Sequence, residues 1–81
     1  MKVKIYITLK DGVLDPQGKA VEDALRGLEF EGVEGVRQGK LIELHLTDTD
    51  HNSARERVAD MCEKLLANTV IENYDIEISE S

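Results

Sequence analysis

The sequence predicts a small two-layer α+β domain in which two helices cover one face of an antiparallel sheet, in the order β-α-β-β-α-β. Residues 2–10 and 74–79 alternate between apolar and polar side chains, which is typical of half-buried strands. Two segments with apolar residues at helical spacing follow helix-start signals at Asp15 and Ser53. The chain has 81 residues, so we expect a single domain over residues 1–81.

The first strand covers residues 2–10, and Asp11-Gly12 ends it. Asp15 followed by Pro16 indicates a helix start, because Asp caps a free amide and Pro needs no amide hydrogen in the first turn. Gly32 is a turn or cap residue beyond this helix. An apolar stripe on the helix predicts its buried face: Ala20, Val21, Ala24, Leu25 and Leu28.

The middle of the chain allows two interpretations. Residues 33–38 form a weak strand interrupted by Gly, and residues 40–47 alternate again. Gln38-Gly39 between them is a plausible tight turn. If residues 33–47 instead form one bent strand, the sheet has three strands rather than four, and the sequence leaves this open.

A second helix is predicted after the polar segment "DTDHN". Ser53 and Glu56 fit a capping box with Ser53 as the N-cap. Asn68 can end the helix in the left-handed conformation. The apolar stripe is the clearest in the chain: Ala54, Val58, Met61, Cys62, Leu65 and Leu66.

Right-handed crossovers place the first strand between the third and fourth, as in ferredoxin-like folds. Charge agrees with this order, because Lys2 and Lys4 of the first strand would face Glu43 and Glu77 of its neighbours. Each such pair contributes only about 0.2–1 kcal/mol. On the same outer face, Tyr6 and Leu41 come close together. A small apolar patch of this kind favours a subunit contact.

Composition excludes some partners and suggests another. The net charge is -7, and no basic cluster could neutralise phosphates, so we expect no nucleic acid and no membrane partner. The start of the chain lacks a secretory signal, and we expect a cytoplasmic protein. With no Trp and one Phe, the core is thin and aliphatic. A thin core in a small domain favours a homo-oligomer, either a dimer or a tetramer.

Gly18-Lys19 at the helix start does not form a phosphate loop, because the earlier Gly and the following Ser or Thr are missing. The helix N-terminus could still bind an anion weakly. Cys62 lies inside an apolar stripe and is expected to be a buried, inert thiol. We therefore predict no catalytic residue here.

Metal binding is also not expected. Asp48, Asp50 and Asn52 have the spacing of a calcium loop, but the Gly and Glu that such a loop requires further on are absent. His45 and His51 could join these carboxylates in a metal or catalytic site, yet no spacing demands it. We interpret the histidines as surface residues.

Three stretches in this order resemble one family: "VLDPQGKAVEDAL", "VEGVRQGKLIEL" and "MCEKLLANTVIENYDIEI". They are similar, over essentially the whole chain, to the PurS family, the small subunit of phosphoribosylformylglycinamidine synthase in de novo purine synthesis. The chain departs from the family pattern at Thr69, where the family usually has Pro. A Thr allows the same turn with less stiffness.

The resemblance implies a non-catalytic subunit that supports complex assembly and ammonia transfer between a PurQ-type glutaminase and a PurL-type synthetase. It implies that this subunit binds no cofactor, whereas the complex uses ATP, Mg and glutamine. The alternative that the residues leave open is a small ferredoxin-like regulatory module that binds an anionic metabolite at the helix start near Pro16.

The resemblance also singles out individual positions. Several of them have an ordinary backbone explanation as caps, turns or packing residues: Asp15, Pro16, Gly18, Val36, Gly39 and Asn68. The others are candidate subunit contacts, to which the outer patch adds Tyr6 and Leu41: Gln17, Arg37, Lys40, Glu72 and Tyr74.

Overall fold

A computed structural model describes residues 1–80. The predicted α+β class is confirmed, with the elements in the three-stranded form of the predicted order. Among these residues, no helix is long and apolar enough to span a membrane. The elements are β1 (Lys2–Leu9), α1 (Pro16–Gly27), β2 (Gly39–His45), α2 (His51–Met61), a π-helical turn (Cys62–Leu66) and β3 (Glu72–Ser79).

The sheet has the order β2-β1-β3 and is antiparallel throughout, which confirms that the first strand is central. Alternate residues of β1 point to the inner face, where Val3, Ile5 and Ile7 are fully buried. Val58 of α2 and Cys62 of the π-helical turn complete this core. The core therefore lies between the sheet and α2.

The outer face of the sheet carries the predicted charge pairing. The Nζ atoms of Lys2 and Lys4 lie 3.9 and 4.0 Å from Oε1 of Glu43. Tyr6 and Leu41 are directly opposite each other in the register of β1 and β2. Their side chains are 42% and 49% exposed, so the predicted outer patch exists and is open to solvent.

Residues 33–38 form neither a separate strand nor part of one bent strand over residues 33–47, although the sheet has the three strands of that second interpretation. Two of their backbone amides donate to carboxylates of α1 and its N-cap instead of to a neighbouring strand. The Val36 amide donates to Oε1 of Glu22 at 3.3 Å, and the Gln38 amide donates to Oδ2 of Asp15 at 3.0 Å. These bonds hold the segment beside α1, so it cannot join the sheet.

The prediction of a tight turn at Gly39 is wrong. Gly39 begins β2 and lies opposite Thr8 of β1. A Cβ atom at this position would clash with the Ile7 carbonyl oxygen and would lie 2.8 Å from the methyl carbon of Thr8. The glycine is thus required by close strand approach rather than by a turn.

The prediction of Ser53 as an N-cap is also wrong, because α2 begins at His51. Asp50 is the N-cap, and its Oδ2 accepts a hydrogen bond from the Ser53 amide at 3.0 Å. A carboxylate three residues earlier serves the same free amide that the capping box would have used.

The end of the second helix differs from the predicted stripe at one position. The Ala67 amide donates to the Cys62 carbonyl at 3.0 Å, which closes the wider ring of a π-helical turn. The wider turn changes the direction of the side chains that follow Cys62. Leu65, expected in the core, is 82% exposed, whereas Leu66 is half-buried and Ala67 is buried.

Asn68 does not have the left-handed conformation that was predicted for it; among the non-glycine residues of 1–80, only Glu29 has a positive φ. Instead, Oδ1 of Asn68 accepts from the Val70 amide at 3.2 Å. Its carbonyl accepts from the amides of Ile71 and Glu72. Asn68 therefore forms a side-chain-stabilised turn that leads directly into β3.

α1 starts as predicted, with Asp15 as the N-cap and Pro16 in the first turn. It ends in a Schellman motif, in which the Phe30 amide donates to the Leu25 carbonyl at 3.1 Å. Glu29 takes the left-handed position, with a φ of 69°. The cap is thus Glu29, and Gly32 lies in the turn beyond the helix with a φ of 81°, as predicted.

Within residues 1–80, α1 makes no extensive contact with the sheet: the element pairs with extensive contact are β1 with β2, β1 with β3, and α2 with the π-helical turn and β3. Most of the stripe that was expected to face the core is exposed, and Leu25 is half-buried. The molecule measures 48 × 29 × 15 Å. Its radius of gyration is 16.0 Å, against about 12 Å for a compact chain of this length. We call residues 14–38 the α1 arm, and the sheet with α2 and the π-helical turn the sheet body.

Candidate functional site

A cleft of about 450 Å³ opens where the α1 arm meets the end of the sheet. It collects residues from the start of α1, from the segment before β2 and from the ends of β1 and β3. Several of the positions that the sequence singled out are thereby brought together. The lining residues are Ile7, Leu9, Asp15, Pro16, Gln17, Gln38, Gly39, Lys40 and Glu72.

Asp15 connects the two sides of this cleft. Its Oδ1 accepts from the Gly18 amide at 2.9 Å, and its Oδ2 accepts from the Gln38 amide at 3.0 Å. These amides, first that of Gln38, lower the pKa of Asp15. Gly18 is needed because a Cβ atom would lie 2.7 Å from the Val36 carbonyl oxygen. Asp15, Gly18 and Val36 therefore join the helix start to the segment before β2.

Two candidate subunit contacts strengthen the same junction. Oε1 of Gln17 accepts from Nε2 of Gln38 at 2.9 Å. The Arg37 guanidinium donates to the Leu9 carbonyl, and its Nη1 lies 3.6 Å from Oδ1 of Asp11. Both side chains remain exposed, so each can also present polar groups to another molecule.

Two further candidate subunit contacts form an ion pair across the end of the sheet. Nζ of Lys40 on β2 lies 3.5 Å from Oε2 of Glu72 on β3. Oε1 of Glu72 accepts from the Asn68 amide at 2.7 Å. Glu72 therefore anchors the turn before β3 as well as the amino group of Lys40.

The remaining candidates lie elsewhere. Tyr74 is on the inner face of β3, where its hydroxyl donates to Oε2 of Glu63 at 2.8 Å. The Tyr6 hydroxyl on the outer face donates to Oε2 of Glu77 at 2.6 Å. These carboxylates raise the pKa of both phenols above the ordinary value. The candidate contacts thus divide into the cleft, the region around Tyr74, and the outer patch of Tyr6 and Leu41.

Sequence reasoning missed the role of Glu22, a buried carboxylate of α1. Its Oε2 lies 2.9 Å from Nη2 of Arg26, and Nζ of Lys19 lies 3.8 Å away. Basic residues three positions before and four after Glu22 were the available signal. Lys19 also lies 3.4 Å from Asp23, so its partners within α1 account for it.

The cleft has the chemistry of a contact surface. Its charged side chains are already engaged: Asp15 by two amides, and Lys40 and Glu72 by each other. The carboxylate of Asp15 also occupies the Gly18 amide and would repel an anion from the helix start, which counts against the anionic metabolite.

The groups considered for metal or nucleophilic chemistry are placed apart from the cleft. Within residues 1–80, no three side chains of His, Cys, Asp or Glu are grouped so as to hold a metal ion. His51 pairs with Glu80 at 3.2 Å, and His45 is exposed at the end of β2. Cys62 is buried as predicted, and burial raises the pKa of its thiol.

The fold and the cleft define a small α+β domain with paired surface charges and an open cleft beside the end of the sheet. A model of the PurS family, described as phosphoribosylformylglycinamidine (FGAM) synthase, matches residues 2–80. The chain belongs to the PurS family, and the resemblance found in the sequence is confirmed.

Relatives agree over nearly the full length. The subunit PurS of phosphoribosylformylglycinamidine synthase from Bacillus subtilis is 51% identical over 79 residues, which are 98% of this chain and 93% of the relative. A solved structure of Bacillus subtilis PurS matches with a TM-score of 0.84, over 98% of both chains. A chain of the PurLQS structure from Thermotoga maritima matches with a TM-score of 0.86 and 34% identity, over 94% of this chain and 93% of that one.

Proposed function

We propose that this chain is the small, non-catalytic subunit of phosphoribosylformylglycinamidine synthase. In this role it supports assembly of a PurQ-type glutaminase with a PurL-type synthetase and the transfer of ammonia between them. The observation that carries the proposal is the match over nearly the whole chain to PurS subunits, including one within a PurLQS structure. The chain would act in the cytoplasm as a homo-oligomer, either a dimer or a tetramer.

The cleft supports this role because its charged groups are already engaged: Asp15 holds Gln38 beside the start of α1, and Lys40 pairs with Glu72 across the sheet. A surface of this kind presents a fixed shape to partner proteins without needing a chemical step of its own. In this proposal the subunit binds no cofactor, and the complex uses ATP, Mg and glutamine in its other subunits.

The test is reconstitution with the PurL-type and PurQ-type subunits of the same organism. With glutamine as the nitrogen donor, product formation should require this chain. With free ammonium as the donor, the synthetase should depend on it much less, because ammonia then needs no transfer. An equal glutamine-dependent rate with and without this chain would reject the proposal.

A pair of matched variants tests whether the cleft is the contact surface. We expect Lys40→Ala to weaken association with the larger subunits by about tenfold, the equivalent of about 1.4 kcal/mol. Lys64→Ala removes a comparable exposed amino group from the π-helical turn that follows α2 and should leave association unchanged. Association could be measured by analytical ultracentrifugation of the three components. Equal effects of the two variants would remove the cleft from the interface.

A further inference from the structure

The pairing of β1 with β2 stops one residue earlier than the length of β1 requires. Thr8 lies opposite Gly39 in the register of these strands, so the next residue of β1, Leu9, would lie opposite Gln38. β1 itself continues to Leu9, which pairs with Glu72 of β3, whereas β2 begins at Gly39. A feature other than the length of β1 therefore ends its pairing with β2.

The carbonyl of Leu9 is directed towards the β2 side of the sheet. In an antiparallel sheet, alternate residues of a strand direct both of their backbone groups to the same neighbouring strand. Met1 exchanges two backbone hydrogen bonds with Leu46 on the β2 side, at 2.7 and 2.9 Å. The Lys10 amide donates to the Ile71 carbonyl on the β3 side at 2.8 Å. Leu9 lies an even number of positions from Met1 and adjoins Lys10, so its carbonyl faces the position before β2.

Both groups that would extend the pairing have other partners. The Gln38 amide donates to Oδ2 of Asp15 at 3.0 Å instead of to β1. The Leu9 carbonyl accepts from the Arg37 guanidinium. A guanidinium group has several N–H donors, and one of them can supply the bond that a strand amide would have supplied. Pairing between β1 and β2 thus ends by an exchange of partners.

This exchange occurs where the α1 arm leaves the sheet body. The arm is joined to the body by residues 10–13 and by the peptide bond from Gln38 to Gly39, and α1 makes no extensive contact with the sheet. The direction in which the chain meets β2 therefore determines where the arm lies. Pairing of Gln38 with Leu9 would separate the Gln38 amide from Asp15 and change the cleft, which all three of these residues line.

The ion pair of Arg37 with Asp11 does not explain the position of the arm. Nη1 of Arg37 lies 3.6 Å from Oδ1 of Asp11, whose side chain is fully exposed. Such exposed pairs contribute little, because water and salt screen the charges. Asp11 also lies in the turn after β1, whereas the Leu9 carbonyl belongs to the central strand. The bond to Leu9 is the one that relates the arm to the sheet.

We propose that Arg37 is a positioning residue of the cleft. Its guanidinium occupies the Leu9 carbonyl, ends the pairing of β1 with β2 at Gly39, and leaves the Gln38 amide to Asp15. In this way it sets the direction of the α1 arm and the shape of the cleft. The consequence for binding of the larger subunits rests on the proposed function, whereas the effect on the arm does not.

Hydrogen bonds of the Gln38 amide can be identified directly by NMR, from scalar couplings that cross the hydrogen bond. In the wild-type chain, the Gln38 nitrogen should couple to the carboxyl carbon of Asp15 and not to the carbonyl carbon of Leu9. Arg37→Met keeps an apolar stem but removes every donor. In this variant the coupling to Asp15 should decrease, a coupling to Leu9 should appear, and residual dipolar couplings should show a changed direction of α1 relative to β1.

Two results of this experiment would overturn the inference. The first is a coupling of Gln38 to Leu9 already present in the wild-type chain. The second is an Arg37→Met variant with the wild-type coupling to Asp15 and the wild-type direction of α1. Protection of the β1 amides from hydrogen exchange verifies that the variant keeps its sheet.

Three matched variants separate the bond to Leu9 from other effects of an arginine. Arg37→Lys keeps a donor and should retain the coupling of Gln38 to Asp15. Asp11→Asn removes only the exposed ion pair and should leave the direction of α1 unchanged. Arg55→Met removes an exposed arginine of α2 that donates to the Ile76 carbonyl at 3.2 Å, and it should also leave α1 unchanged. A change in α1 with Asp11→Asn equal to that with Arg37→Met would overturn the role of the Leu9 carbonyl.

Association with the larger subunits tests the consequence for the cleft. Arg37→Met should weaken this association by about as much as Lys40→Ala, and Arg37→Lys should restore it. A moved arm with undiminished association would overturn this consequence, while the requirement for the chain in glutamine-dependent synthesis would still decide the proposed function. If the chain is not required for that synthesis, the proposed function fails, and the NMR couplings still decide the role of Arg37.

Discussion

The sheet body and the α1 arm are stabilised by different interactions. In the body, fully buried side chains such as Ile5, Val58 and Cys62 pack against one another within a single chain. In the arm, residues 33–38 are tied to α1 mainly by the carboxylates of Asp15 and Glu22, while the apolar stripe stays open. The difference indicates that burial of apolar side chains within the chain stabilises the body. The arm is held mainly by polar hydrogen bonds, and its apolar stripe stays exposed.

The largest effect is expected from a cavity in the sheet body. Ile5→Ala should lower the free energy of unfolding by about 2–5 kcal/mol, because it removes a fully buried side chain from the central strand. Denaturant unfolding at several protein concentrations measures this loss. The matched arm variant Leu25→Ala should cost less at low concentration, since Leu25 is half-buried. Equal losses would mean that the arm is as well packed as the body.

A smaller effect is expected from the buried carboxylate of the arm. Glu22→Ala leaves the Val36 amide without its partner and removes the carboxylate that pairs with Arg26. Leaving a buried amide without its partner lowers the local free energy of unfolding by about 1–3 kcal/mol. Amide hydrogen exchange should therefore become faster at Val36, whereas the central strand stays protected. Asp23→Ala, on an exposed part of α1, serves as the control. Unchanged exchange at Val36 would show that the arm does not depend on Glu22.

The N-cap carboxylates, Asp15 in the α1 arm and Asp50 at the start of α2, make the stability of both regions depend on pH. Amides of Gln38 and Gly18 lower the pKa of Asp15 in the arm, and the Ser53 amide lowers the pKa of Asp50 in the body, both from 3.8. A carboxyl with a lowered folded pKa stabilises the chain above its unfolded pKa, and this contribution is lost as the pH falls through the folded value.

We therefore expect the amide resonances of Gly18 and Ser53 to titrate below the unfolded pKa in an NMR experiment. Asp15→Asn should abolish the step at Gly18 and leave that at Ser53, and Asp50→Asn should do the reverse. Loss of both steps in one variant would contradict independent caps.

The smallest expected effect is an increase in the stability of the arm. Glu29→Gly removes the left-handed strain at the end of α1 and should stabilise the arm by about 0.5–1 kcal/mol. Glu31, two residues later, has no positive φ, so Glu31→Gly should give no gain in stability. Protection of the last α1 amides from hydrogen exchange reports the change. A gain from both glycines, or from neither, would show that the backbone strain at Glu29 is unimportant.

Much of the fold was predictable because its signals are local. Alternation identified the strands at residues 2–10, 40–47 and 74–79, and Asp15 with Pro16 identified the start of α1. The N-cap of α2 was not predictable, because Asp50 and Ser53 are both suitable N-cap residues and the sequence pattern does not show which of them precedes the helix. The π-helical turn after Cys62 was not predictable, since the periodicity of Leu65 and Leu66 fits an ordinary helix.

The candidate site was predicted in part. Residues near Pro16, Arg37 and Lys40 were singled out through the family resemblance, and the structure brings most of them to one cleft. Glu22 was missed because a helical Glu between basic residues usually lies on a solvated face. Its burial depends on residues 33–38 lying beside α1, which is a contact between segments separated along the chain.

Local sequence patterns were sufficient to predict the α+β class, the central position of β1 and the membership in the PurS family. Periodicity, charge pairing and motif order are properties of the linear sequence and need no tertiary contact to be recognised. The placement of α1 required the folded molecule. The same apolar stripe can cover its own sheet or another surface, and the hydrogen bonds of residues 33–38 to Asp15 and Glu22 hold it away from its own core.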